Sequence, residues 1–417
     1  MNLLYIDPGT GSMLFTLLLG LIGAVFYGVR VAVMKLRMKL VGKGKTDPNR
    51  VPFVFFSDNK RYWNVFRPVV LEMTGRGHKI LYLTASEDDP AFTAGIEGLK
   101  AEFIGSGNKM FARLNNLNAD IVLSTTPGLE VYQWKRAPKA KWYVHIPHAA
   151  SEICLYRMFG IDYYDAILLS GKYQEEDIRA LEALRKLPEK EIRMVGIPYM
   201  DEMVKKSSTV EVPPAEGKTV LLAPSWGDSA ILAVYGGRII DTLLDTGYHV
   251  IIRPHPQSFT ADKETIDRLM EKYPETSRLH WNRDNNNFDV LARSDIMITD
   301  YSGIMYDFTL IFNKPVIYTE AGFKKDPYDC WCIEGETWML GTIKKIGKEL
   351  NSENIGQIKE LIDSSIKMSK ETTLIEEARN ETWCNIGKSS ELIADYLVDK
   401  LAELEKKNNP EKKEEKA

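Results

Sequence analysis

Asp295-Ile296-Met297-Ile298-Thr299-Asp300-Tyr301-Ser302-Gly303-Ile304-Met305-Tyr306-Asp307-Phe308 runs from an apolar stretch, through a polar turn, into a helical pattern. The first part suits a short buried strand, and Ile304, Phe308 and Ile311 then recur at helical spacing, which predicts a helix starting near Ser302. Ser302 is a natural N-cap. Gly303 leaves the first backbone N–H groups open, and a helix start with free N–H groups attracts anions. A capped helix needs only one polar residue here, so the density of Asp300, Tyr301, Ser302 and Asp307 points to a phosphate-holding site. Asp300 is expected to cap the turn or to hold a ribose or acceptor hydroxyl, and Asp307 to reach the same place from one turn in.

Working outward, the same strand–turn–helix unit repeats. Apolar runs at Val51–Phe56, Lys79–Leu83, Ala101–Ile104, Asp120–Ser124, Lys141–Ile146, Tyr164–Leu169 and Glu191–Val195 predict one set of strands, with helical stretches between most of them. Val212-Pro213-Pro214-Ala215-Glu216-Gly217 reads as a link, after which Thr219–Ala223, Tyr248–Arg253, Asp295–Thr299 and Pro315–Tyr318 form a second set. Alternation of this kind predicts two doubly wound, Rossmann-like α/β domains with parallel sheets, and ligands in the cleft at the carboxyl ends of the strands. The divisions expected are 1–46, 47–212, 213–385 and 386–417, the last a helix and a charged tail.

The 417 residues are too many for one ordinary domain, and the formal charge of −4 gives no support to nucleic-acid binding. Cys154, Cys330, Cys332 and Cys384 are few and irregularly spaced, without the paired spacing of a zinc site, so reduced thiols and no bound metal are expected. Cys330-Trp331-Cys332 lacks nearby histidines and makes a poor redox or metal element.

From Pro8 to Val29 there is no charged residue, and extension to Met34 across Arg30 gives an apolar segment of the ~20 residues that span a bilayer core. The start carries Asp7 and no base, unlike a cleaved signal peptide. Arg30, Lys35, Arg37, Lys39, Lys43 and Lys45 follow, so a single transmembrane helix is expected with the rest of the chain on the cytoplasmic side. A monotopic hairpin or amphipathic anchor would place it on the same surface.

Four polar turns follow predicted strands. In Ile251-Ile252-Arg253-Pro254-His255-Pro256, Arg253 offers a planar fork to phosphate oxygens, and His255 can donate to them or protonate a leaving group. The second is the Asp300–Gly303 turn. In Ala223-Pro224-Ser225-Trp226-Gly227-Asp228, Ser225 and Trp226 are expected to face the cleft. In Tyr143-Val144-His145-Ile146-Pro147-His148-Ala149-Ala150-Ser151, one histidine suits a general base and the other a structural place; His148, at the turn itself, is preferred over His145. An HxxH metal pair lacks an acid or thiol beside it. Thr125-Thr126-Pro127-Gly128 and Gly196-Ile197-Pro198 give weaker signals.

Arg253-Pro254-His255-Pro256, followed by Thr299-Asp300-Tyr301-Ser302, Asp307 and Lys314-Pro315, resembles the CDP-glycerol glycerophosphotransferase family, whose members build teichoic acids and related polymers. The resemblance covers Val220 to Tyr318 well. It is fainter in the first domain, where the family's His-Gly-Thr-Pro turn is replaced by His148-Ala149-Ala150-Ser151. It implies a glycosyltransferase-B-like fold, with 47–212 as the acceptor side and 213–385 as the nucleotide-donor side. It further implies transfer of glycerol phosphate from CDP-glycerol to a hydroxyl of a lipid-linked acceptor, with CMP released. His148, with His145 as its rival, would be the base. Arg253, His255, Ser225, Trp226, Asp300, Tyr301, Ser302, Gly303 and Asp307 would hold the donor, without metal or cofactor. A nucleotide-sugar glycosyltransferase of the same fold and a non-catalytic membrane-anchored nucleotide-binding module are the competing readings.

Overall fold

The computed structural model describes residues 25, 28–29, 49–209, 217–284, 287–300, 302–319 and 325–408. Two seven- and six-stranded parallel sheets lie within one compact unit, Val51–Leu404. The apolar stretch expected to cross a membrane and the link at Val212–Glu216 lie outside the described residues, apart from a few positions in the former. Among the described residues no helix is long and apolar enough to cross a membrane.

The first sheet contains, in chain order, β1 (Val51–Ser57), β2 (Ile80–Thr84), β3 (Leu99–Phe103), β4 (Ala119–Ser124), β5 (Trp142–His145), β6 (Ala166–Leu169) and β7 (Glu191–Met194). Their spatial order is β3-β2-β1-β4-β5-β6-β7, all neighbours parallel. The second contains β8 (Thr219–Ala223), β9 (His249–Ile252), β10 (Leu279–Trp281), β11 (Ile296–Thr299), β12 (Val316–Tyr318) and β13 (Gly347–Glu349), in the order β10-β9-β8-β11-β12-β13, again parallel throughout. The central strands β1, β4, β8 and β11 are apolar and buried on both faces, as sheets covered by helices on each side require.

Strands β10 and β13 were not expected. Both are three-residue edge strands with polar residues in the middle or throughout, His280 and Gly347-Lys348-Glu349, so they carry no apolar run to read. The helical stretch after β8 is two pieces, Ile231–Val234 and Gly237–Asp245, broken where Gly236 adopts a φ of 53°. The helix after β11 is one α-helical turn, Ile304–Tyr306, continued by a π-helical segment, Asp307–Ile311.

The C-terminal region returns to the first sheet. The helix Ser389–Asn408 buries Ile393, Ala394, Tyr396, Leu397 and Leu404 in the same cluster as Phe53, Phe55, Val144 and Ala166. Burying a large apolar side chain is worth about 2 kcal/mol, so this helix completes the first lobe's core. Its approach is close: a Cβ on Gly196, whose φ is 97°, would fall 2.4 Å from Ser389 Oγ and 2.6 Å from the Cys384 carbonyl.

Candidate active site

The polar turns sit at the carboxyl ends of the strands of both sheets. From the first sheet come Asp58, Arg61 and Tyr62 after β1, Thr126 after β4, and His148 after β5. From the second come Ser225 and Trp226 after β8, Arg253 and His255 after β9, and Asp300 to Gly303 after β11. One side chain relates the two groups. The Arg61 guanidinium bears electrostatically on His148 of its own sheet and on His255 of the other, and opposes protonation of both.

His148 is half-buried, with its ring tilted against Tyr62 at 4.8 Å between centroids and 6.3 Å from Tyr156. Burial, and then the Arg61 charge, holds its pKa down at about 4, so the ring is neutral at neutral pH. Its Nδ1 is buried with no hydrogen-bond partner among the described residues. The turn that carries it is braced by the helix Lys172–Arg185: Tyr173 Oη donates to the Ala150 carbonyl at 3.0 Å, and Gln174 Nε2 to the Ser151 carbonyl at 2.8 Å.

His145 corrects the rival assignment. It is fully buried at the end of β5, with Nε2 3.1 Å from Tyr156 Oη and its ring between Tyr156 and Tyr164. Burial and the adjacent His148 push its pKa down to about 3. It packs behind the turn and does not face a substrate.

Across the cleft, the Gln257 backbone N–H donates to His255 Nδ1 at 3.1 Å. A neutral His255 therefore carries its proton on Nε2, as a donor. Burial, then Arg61 and Arg253, lowers its pKa, while Asp262 opposes them. Arg253 Nη1 donates to Asn282 Oδ1, and Asn282 Nδ2 in turn donates to Asp284 at 2.7 Å, so the guanidinium is held at the strand end.

Asp300 and Asp307 are both engaged by partners within the protein, Asp300 in the turn-capping role that was one of its two expected roles. Asp300 is 1% exposed, and its two carboxylate oxygens accept from the Ser225 N–H at 2.8 Å and the Ile231 N–H at 3.0 Å. It fixes the Ser225–Ile231 turn instead of a hydroxyl of a ligand. Asp307 is buried and accepts from Tyr199 Oη and, at 3.3 Å, from Asn287 Nδ2. Burial pushes its pKa up to about 6. It ties the helix Pro198–Ser207 to the second lobe. The N-cap falls on Gly303, one residue after the expected Ser302, whose carbonyl accepts from the Met305 N–H at 3.1 Å. Ser302 is half-buried, Gly303 exposed and Trp226 51% exposed, all open to a ligand, and Tyr301 lies outside the described residues. Lys314 caps the preceding helix, Phe288–Arg293, through its Ala292 and Ser294 carbonyls at 2.5 and 2.6 Å.

Asp58, Arg61 and Tyr62 were not singled out from the sequence. Asp58-Asn59-Lys60-Arg61 follows β1 directly, the same strand-then-polar-turn signal used elsewhere, but without a histidine or proline to mark it. Burial raises the Asp58 pKa, opposed by the Thr126 hydroxyl and by Arg61. Arg61 Nε and its backbone N–H both donate to Asn59 Oδ1 at 3.1 Å, which fixes the base of the side chain.

Residues 161–398, more than half of the chain, match the family model described as CDP-Glycerol:Poly(glycerophosphate) glycerophosphotransferase. The chain belongs to this family. It is accordingly a transferase of the CDP-glycerol glycerophosphotransferase type. Among solved structures it is similar to the wall teichoic acid polymerase TagF, at 16% identity and a TM-score of 0.55 over 86% of this chain and 90% of that one. A variant of that polymerase soaked with CDPG matches at 16% identity and a TM-score of 0.54 over 86% and 91%. The S. aureus MnaA–UDP structure matches at 14% identity and a TM-score of 0.54 over 85% and 97%. At such identities these likenesses show the fold, two parallel-sheet Rossmann-like halves of glycosyltransferase-B-like type. No curated protein matches the chain.

Proposed function

We propose that this family member transfers glycerol phosphate from CDP-glycerol to a hydroxyl of a membrane-linked acceptor in the synthesis of a teichoic-acid-like polymer, and releases CMP. The acceptor oxygen forms a bond to the β-phosphorus, the bond from that phosphorus to the bridging oxygen breaks, and CMP leaves with the electron pair. His148 takes the hydroxyl proton. His255 offers its Nε2–H, and Arg253 its planar fork, to the diphosphate. The exposed backbone at Ser302–Gly303 adds donors, and Trp226 lies where it can cover the nucleotide. Asp300 contributes by fixing the turn that carries Ser225 and Trp226. Positioning and charge stabilisation supply most of the rate in phosphoryl transfer, and this residue set is suited to both.

The single observation that carries the reading is the electrostatic reach of Arg61 to both His148 and His255, the candidate base on one sheet and the candidate phosphate donor on the other. The apolar N-terminal stretch and the bases that follow it support attachment to the cytoplasmic face of the membrane, where a lipid-linked acceptor is presented. The test is nucleotide release by the full chain in the presence of membranes, with CDP-glycerol and UDP-GlcNAc compared. CMP from the first is expected; UDP from the second alone would overturn the proposal in favour of a glycosyltransferase.

A further inference from the structure

The turn that carries His148 is fastened to the second lobe as well as to its own. Glu152, which follows His148 on that turn, is 2% exposed. Both of its carboxylate oxygens accept from the start of the helix Trp338–Ile346, one from the Trp338 N–H and one from the Met339 N–H at 2.8 Å. That helix belongs to the second lobe: it leads into β13, and its Met339, Ile343 and Ile346 are buried with Leu221, Ala223 and Met297 of the second sheet. A carboxylate at a helix start satisfies N–H groups that have no partner within the helix. Burial makes the bond hard to give up, because a carboxylate shut off from water is costly once its oxygens lose their donors.

Three rings run alongside this cap. The Trp338 ring stacks on Tyr173 at 3.9 Å between centroids and 20° between planes, and lies nearly parallel to Tyr306 at 5.8 Å and 17°. Each of the two tyrosines is buried, and each is tied to one half of the candidate site. Tyr173 Oη donates to the Ala150 carbonyl at 3.0 Å, on the turn of His148. The Tyr306 N–H donates to the Gly303 carbonyl at 3.1 Å, on the turn after β11. Trp338 thus meets the His148 turn twice, by its N–H on Glu152 and by its ring on Tyr173. Close-packed rings transmit a displacement instead of absorbing it.

We propose that Glu152 and Trp338 are positioning residues that set the His148 turn against the Ser302–Gly303 turn. The inference rests on the reading of His148 as the base and of the second lobe as the donor site. In that reading the base stands on one lobe and the phosphorus under attack is held by the other, so the joint between them governs the chemical step. A misplacement of about 1 Å costs on the order of 10²-fold in rate. Donor binding rests on Arg253, His255 and the Ser302–Gly303 backbone, all within the second lobe, and does not depend on the joint.

The test uses the full chain in the presence of membranes, with CMP and UDP release measured at varied CDP-glycerol and UDP-GlcNAc. Glu152→Gln keeps the shape of the side chain but turns an NH2 toward one of the two N–H groups. It is expected to lower kcat about 10- to 100-fold and to leave KM for the donor within about twofold, the mark of a loss confined to the transition state. Trp338→Ala, which keeps the backbone cap, should show the same split, and Trp338→Phe, which restores a stacked ring, should recover most of the rate. The Trp338 variants carry the test if Glu152→Gln does not fold. Wild-type kcat in Glu152→Gln or Trp338→Ala would overturn the proposal. So would equal losses in Trp338→Ala and Trp338→Phe, or a loss made up of a raised donor KM. If UDP-GlcNAc alone is turned over, the same split read with that donor keeps the joint and removes only the glycerophosphotransferase reading; release from neither donor overturns both.

Discussion

The Tyr62 ring lies 4.8 Å from the His148 imidazole, and Arg61, the residue before it, bears on His148 and His255 alike. One turn after β1 thus sets the electrostatics of both faces of the cleft. Burial first, and the Arg61 cation second, lowers the pKa of each imidazole.

Arg61→Ala is expected to shift the pH dependence of turnover. His148 must be unprotonated to act as base, and loss of the cation lets it protonate more easily. The acid limb should therefore move to higher pH, by about half a unit to one unit. Arg61→Lys, which keeps the charge, should leave the profile in place. Initial rates across pH at saturating CDP-glycerol check this; an unmoved profile in Arg61→Ala would refute the coupling.

His148→Gln should lower kcat by about 10²- to 10⁴-fold, the range of a lost general base, with little change in thermal stability. His145→Gln should do the reverse, because the buried ring contacts Tyr156 and Tyr164 and no substrate. Steady-state kinetics and melting temperature on the same two preparations separate the roles. Equal kinetic losses in both would contradict the assignment.

The fold was legible because the central strands are apolar runs buried on both faces, and the polar turns announce themselves directly after them. Arg253, His255 and His148 were found by that rule. The same rule could not distinguish a residue that touches ligand from one that holds a loop. Asp300 and Asp307 are acidic residues at a strand end and a helix start, but their oxygens are taken by Ser225, Ile231, Tyr199 and Asn287, partners that are distant in sequence. Arg61 was missed because its significance arises only when the second sheet brings His255 beside it.

Asp300→Ala should destabilise the protein and weaken donor binding together. Two backbone N–H groups, those of Ser225 and Ile231, lose a charged acceptor, at a cost of about 3 kcal/mol. Denaturant unfolding should show that loss, and KM for CDP-glycerol should rise. A variant with wild-type stability and KM would show that the turn is held by other means.

Asp307 gives a stability effect with a defined sign. Its folded pKa, raised to about 6 from the ordinary 3.8, means the folded state holds the proton more tightly than the unfolded chain does. The associated stability is complete below the unfolded value and is lost as pH rises through about 6, on the order of 3 kcal/mol in all. Compared with Asp307→Asn, the wild type should therefore lose stability between pH ~4 and ~6.5, a window set by those two pKa values. Unfolding midpoints across that range provide the measurement, and parallel curves would disprove it.

The helix Ser389–Asn408 has a consequence for the order in which the molecule is made. The lobe begun by β1 receives Ile393, Leu397 and Leu404 only after the second sheet has been synthesised. During translation the first lobe therefore waits, with part of its apolar interior uncovered, until the second sheet and the helix after it have left the ribosome. A nonsense mutation just before Ser389 would leave the second sheet's sequence whole and strand the first lobe half-built. In this chain a helix made after both sheets closes the first lobe begun.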